Sequence, residues 1–111
     1  MATLTVQAKS NTSPLVTWAT AAEAGDQVAH ASRQKLLIQN NGSVDMDVTI
    51  ASEVAESGPT GTGPFDWVVT VTPGELAVLD ISSTNFKDES GNVVWTYESH
   101  EDILVAVVTV G

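Results

Sequence analysis

The sequence predicts an all-β protein: a single β-sandwich or jelly-roll-like domain of about eight short, mainly antiparallel strands. Three observations lead there. Val, Ile and Thr together supply 33 of the 111 residues, and β-branched side chains are stiff in helices but pack well on a pleated surface. Apolar and polar residues alternate over short windows separated by turn signals about every ten residues, the pattern of a sandwich or barrel. Windows of helical periodicity long enough for the crossovers of a parallel α/β fold are missing. A small barrel is the competing closure of the same strands. A chain of this length supports one hydrophobic core.

Residues 1–13 form a first strand or an arm that contacts a partner, and residues 14–111 form the sandwich. Within the first segment, residues 3–9 alternate Leu4, Val6 and Ala8. Pro14 breaks the pattern before a second weak strand over 15–20, and residues 19–25 read as a brief helical turn ended by Gly25-Asp26. Residues 33–39 carry Leu36-Leu37-Ile38 and lead through Asn40-Asn41-Gly42, turn chemistry suited to positive φ, into residues 44–50. A hairpin is expected, with Val44, Met46, Val48 and Ile50 facing inward and Asp45, Asp47 and Thr49 outward. A second hairpin is expected across Pro73-Gly74, joining residues 65–71, with Phe65, Trp67, Val69 and Val71 inward, to residues 76–81. The stretch from Ser83 to Phe86 reads as a turn. Residues 92–97 form a strand after Ser90-Gly91, and 103–110 are apolar almost throughout, as in a sheet centre. Trp67 and Trp95 are expected in the core, whereas Trp18, in a weaker segment, is the tryptophan expected at the surface. Residues 52–64, with three glycines and two prolines, suit a mobile tip.

A formal net charge of −10 repels a phosphate backbone and an anionic bilayer, so neither nucleic acid nor membrane is expected as a partner. The absence of cysteine removes disulfides, thiolate zinc sites and thiol nucleophiles. No stretch approaches a membrane span, and Met1-Ala2-Thr3-Leu4 lacks the basic region of a signal peptide, so a soluble, non-exported product is expected. Candidates for chemistry are few. His100-Glu101-Asp102 offers an imidazole beside carboxylates, but neighbours on an extended chain alternate faces. Asp45 and Asp47 share a strand face and suit solubility and edge protection. Asp88-Glu89-Ser90-Gly91-Asn92 lacks the acid spacing of a calcium loop, and the glycines of 58–64 lack the lysine and helix of a phosphate cradle. No catalytic, cofactor or metal residue is assigned. The candidate partner contacts are Leu4, Val6, Ala8 and Lys9, an apolar alternation able to add a strand to a sheet edge, together with Trp18.

The order of features carries a resemblance. Residues 21–27 (AAEAGDQ) precede 33–41 (RQKLLIQNN), then Val48-Thr49-Ile50, Val71-Thr72-Pro73-Gly74-Glu75, Phe86, Gly91-Asn92-Val93 and Ile103-Leu104-Val105-Ala106-Val107. This order, over residues 14–110, resembles the small β-sandwich virion proteins of tailed bacteriophages, especially head decoration (capsid cementing) proteins. The 52–64 loop is longer and richer in Gly and Pro than that family suggests. The resemblance implies a non-enzymatic protein without cofactor, made in the host cytoplasm and displayed on the outer capsid surface. Its partner is then the major capsid protein, bound by a homo-oligomer or symmetric multi-copy array with residues 1–13 as a capsid-contacting arm. The acidic charge suits outward display, away from packaged DNA. A carbohydrate- or host-surface-binding module using Trp18 and the Gly-Pro loop is the alternative, as is a tail or head-completion protein on the same scaffold.

Overall fold

In the computed structural model, residues 2–9, 15–51, 66–83 and 86–110 are described. They form ten strands: β1 (Ala2–Thr3), β2 (Gln7–Lys9), β3 (Ala19–Thr20), β4 (Asp26–Ala29), β5 (Gln34–Asn40), β6 (Met46–Ile50), β7 (Trp67–Val71), β8 (Leu76–Asp80), β9 (Asn92–Tyr97) and β10 (Ile103–Val110). One sheet runs β1-β4-β9-β6-β7; the other runs β2-β10-β5-β8, with β3 also pairing β10. The protein is an all-β sandwich whose core lies between the sheets. Met46, Val48 and Ile50 of β6, Val93 and Trp95 of β9, Leu36 and Ile38 of β5, and Val105 and Val107 of β10 are all buried there. The alternation of Met46, Val48 and Ile50 in β6 and the central placing of β10, flanked by β2 and β5, follow the sequence reading, but Val44, expected inward with them, lies before the strand and is exposed.

Strand count and pairing depart from it. The expected strand over residues 3–9 is split: β1 lies parallel to β4 in the first sheet and β2 parallel to β10 in the second. Leu4 and Val6, the residues that cross between the sheets, pack against the core. The expected helical turn at 19–25 is instead β3 and a tight turn closed by Gly25 N–H donating to Ala22 O. Strand β4 follows, hidden in the sequence because its inward row begins with the polar Asp26. The turn at Ser83 is present, with Phe86 N–H donating to Ser83 O.

Neither expected hairpin forms. Strand β5 pairs β10 and β8, while β6 pairs β7 and β9 in the other sheet. Asn40 organises the crossing: its buried amide donates to Val44 O and Val71 O, and its Oδ1 accepts from Gly42 N–H. Positive φ occurs at Gly25, Arg33, Gly74, Gly91 and Asp102 among the described residues, not at Asn40-Asn41-Gly42. The Pro73-Gly74 turn exists, with Gly74 at φ 80°, but it carries the chain from β7 in one sheet to β8 in the other. Gly74 N–H donates to Asn40 O, so one residue ties both crossings together. An inward apolar row satisfies the same core from a hairpin or from a sheet-to-sheet corner, so alternation alone does not choose between them.

Trp67 is a further correction. It pairs with Ile50 in the inward row, but β7 ends its sheet, so the indole is 39% exposed and stacks on Phe86 at 5.9 Å between ring centroids. Val71 is buried and Val69 half-buried; Phe65 and the 52–64 loop lie outside the described residues. Trp95 is the core tryptophan, because β9 is flanked on both sides by strands.

Candidate interaction surfaces

The first candidate surface follows the edge of β10 that faces away from β5. Strand β3 pairs Leu104 and Val105, and β2 pairs Val108 to Val110, so among the described residues no Cα partner stands opposite Ala106 and Val107 on that edge. The gap persists because side chains hold the neighbouring chain in place. The Gln7 amide donates to Thr17 O at 2.7 Å and accepts from Thr17 N–H at 2.8 Å, imitating a strand partner. Lys9 Nζ donates to Leu15 O at 2.7 Å. The result is an open groove of about 490 Å³ lined by Leu4, Lys9, Thr17, Trp18, Val105 and Val107 among others. Trp18 is half-buried, its ring and Val16 packed over Leu37, Ala106 and Val108 on the outer face of the second sheet. Of the sequence-selected contacts, Leu4, Lys9 and Trp18 therefore converge on one groove. Val6 packs against the core and Ala8 is exposed on β2.

The second candidate surface lies on the opposite flank, where β7 ends one sheet and β8 the other. Leu76 and Val78 are 50% and 59% exposed on the outer face of the second sheet, Val68 is 54% exposed on the outer face of the first, and Trp67 is partly exposed at the end of the inward row of β7. The N-terminal segment lines the far edges through β1 and β2, but no described strand covers β7 or β8. Sequence reading missed this flank. The signal was available in Leu76-Ala77-Val78-Leu79, a run apolar on both faces, which fits a buried strand or an edge strand awaiting a partner.

Polar clusters elsewhere are occupied with the fold. Trp95 Nε1 donates to Tyr97 OH at 2.8 Å, and Tyr97 OH donates to Oδ2 of the buried Asp26 at 2.5 Å. Burial, followed by this bond to a carboxylate, pushes the Tyr97 hydroxyl well above its ordinary pKa and keeps it a neutral donor. Asp80 is pulled down to about 2 by hydrogen bonds from Ser82 and then by Lys35, whose Nζ lies 3.0 Å from Oδ2. Asp88 caps its own turn, accepting from the N–H groups of Ser90 and Asn92, and Asp47 accepts from the Thr70 hydroxyl. The Asp102 carbonyl accepts from Asn41 N–H in the turn leading to β10. Among the described residues, no three His, Asp or Glu side chains are grouped to hold a metal ion, and no helix is long and apolar enough to cross a membrane. No family model, curated protein or solved structure matches the chain.

Proposed function

We propose that this protein is a non-enzymatic head decoration protein of a tailed bacteriophage that binds the major capsid protein lattice on the outer surface of the shell, in many symmetric copies. The observation that carries the reading is the pair Leu76 and Val78, both exposed on the outer face of β8, which ends its sheet among the described residues. Apolar side chains exposed on an uncovered edge strand mark a docking face. The feature order shared with small phage virion sandwiches supplies the kind of partner, and the net charge of −10 favours display outside the shell rather than against packaged DNA. A small domain offers limited contact area, so symmetric repetition supplies the avidity that single contacts lack. Quantitative mass spectrometry of purified virions tests the reading. A copy number approaching that of the coat subunits or their local threefold positions is expected; a few copies per particle point instead to a tail or head-completion part.

The groove beside Trp18 favours a second reading, a carbohydrate- or host-surface-binding module, since an indole lining an open groove suits contact with a sugar ring. Glycan-array binding that is lost in Trp18→Ala, with capsid binding absent, distinguishes it from the first.

A further inference from the structure

We propose that the free edge of β8 is a strand acceptor, which takes an extended, basic-flanked segment of the partner protein as an additional strand of the second sheet. The inference rests on the decoration reading for the partner's identity, and on the backbone alone for the mode of binding. Strand β8 pairs β5 in antiparallel register, Leu36 opposite Leu79 and Ile38 opposite Ala77. Asn40 N–H donates to Glu75 O, and Ile81 N–H donates to Gln34 O. Those two bonds assign the odd-numbered residues as the ones facing β5. In an antiparallel ladder the N–H and C=O of successive residues point to alternate sides, so those of Leu76 and Val78 point to the edge where no described strand lies.

The same two residues carry the exposed apolar side chains of β8. An incoming strand therefore gains ladder hydrogen bonds from Leu76 and Val78, and its own alternate side chains lie beside theirs on the outer sheet face. That combination is strand addition, in which the main chain supplies affinity and side-chain pairs supply specificity. Natural sheets usually blunt such an edge with lysine, proline or a bulge. Leu76 to Leu79 contain no such device, and the nearest lysine, Lys35, sits on β5 and is held by Asp80.

Charge selects the occupant. Exposed Glu75 borders the apolar pair at one end, and at the other Asp80 shares its charge with Lys35, on a chain of net charge −10. A second copy of this chain would bring the same net charge to the edge, whereas a segment with lysine or arginine flanking alternating apolar residues meets the opposite charge of Glu75 and of the chain as a whole.

The N–H of Val78 faces the open edge, so Val78→Pro removes a donor from the acceptor site and none from the β5 ladder. The probes are synthetic peptides of about six residues, alternating Val and Thr between Lys pairs, and a counterpart with Glu in place of Lys. Isothermal titration with the intact protein is expected to show binding of the Lys peptide and none of the Glu peptide. Val78→Pro, and Val78→Lys as a second variant with an intact backbone, are expected to weaken that binding by about tenfold or more while each keeps a cooperative melt. The proposal is overturned if the parent binds neither peptide or binds both alike. It is also overturned if a folded variant binds as the parent does, or if sedimentation shows the parent dimerising through an edge that Val78→Lys disrupts, which assigns the edge to a second copy. Capsid binding retained by a folded Val78→Lys variant sinks the strand-acceptor mode and leaves the decoration reading standing. Peptide capture without capsid binding does the reverse.

Discussion

Replacing Tyr97 with Phe removes a single oxygen from the interior and leaves the ring that packs against the core, so its effect isolates the relay between β4 and β9. In the native protein that oxygen accepts from Trp95 Nε1 at 2.8 Å and donates to Asp26 Oδ2 at 2.5 Å. Its loss leaves the indole N–H of a fully buried tryptophan without its partner. Asp26 is left with one long hydrogen bond, from Ala22 N–H at 3.3 Å, because its Oδ1 is buried and has no partner among the described residues. An unsatisfied buried polar group costs about 1–3 kcal/mol; Asp26 keeps the bond from Ala22 and adds only about 1 kcal/mol, so the two together are expected to cost about 2–4 kcal/mol. For a chain of 111 residues, an unfolding entropy of about 2.1 cal/mol/K per residue converts this to a fall in Tm of roughly 9–17 °C. Urea titration followed by tryptophan fluorescence, with a parallel thermal melt, measures it. A double-mutant cycle with Asp26→Ala should show the two positions strongly coupled, since either change removes the hydrogen bond between them. A Tyr97→Phe variant within about 0.5 kcal/mol of the parent, or additive behaviour in the cycle, would refute the relay as a source of stability.

The two tryptophans that sequence alone treats alike should separate sharply. Trp95→Ala is expected to cost about 3–5 kcal/mol through lost burial and a cavity, and Trp67→Ala only about 1–2 kcal/mol because its ring is partly in water at a sheet edge; paired melts and fluorescence quenching check both. Gly25 sits at φ 96°, and a Cβ there would lie 2.4 Å from Trp95 O. Gly25→Ala is therefore expected to lose about 3 kcal/mol or more, combining left-handed strain with a backbone clash, as read by the shift in urea midpoint. Tyr97 is the only tyrosine, and its folded pKa lies above the ordinary 10.0. Its contribution is therefore fully present below pH 10 and lost as the pH rises beyond that value. Tyrosinate absorbance should appear together with the loss of β circular dichroism on alkaline titration, and ionisation near pH 10 in a chain that is still folded would contradict it.

What the sequence determined by itself was everything set by short-range periodicity. The β-branched composition and the alternation of Met46, Val48 and Ile50 settle the strand and its inward face. The nearly continuous apolar run of 103–110 settles a sheet centre: β10 lies between β2 and β5, its inner face packs in the core, and Val16 and Trp18 cover Ala106 and Val108 on its outer face. The Pro73-Gly74 turn was legible because positive φ at Gly74 is a local requirement. Strand β4 was not legible, since its inward row opens with Asp26, whose burial depends on Tyr97, 71 residues away. Nor was the split of the N-terminal segment between the two sheets, or the exposure of Val68, Leu76 and Val78. These depend on which strand lies beside which, a choice among long-range pairings that leave the local pattern unchanged. Asn40 shows the division within one side chain. Its residue type announces a turn, but its hydrogen bonds to Val44 and Val71 send the chain across the sandwich instead of back along the same sheet. The tertiary structure alone decided that, among the described residues, β7 and β8 end their sheets, because an edge is the absence of a neighbouring strand, and no residue carries that information in its own sequence window.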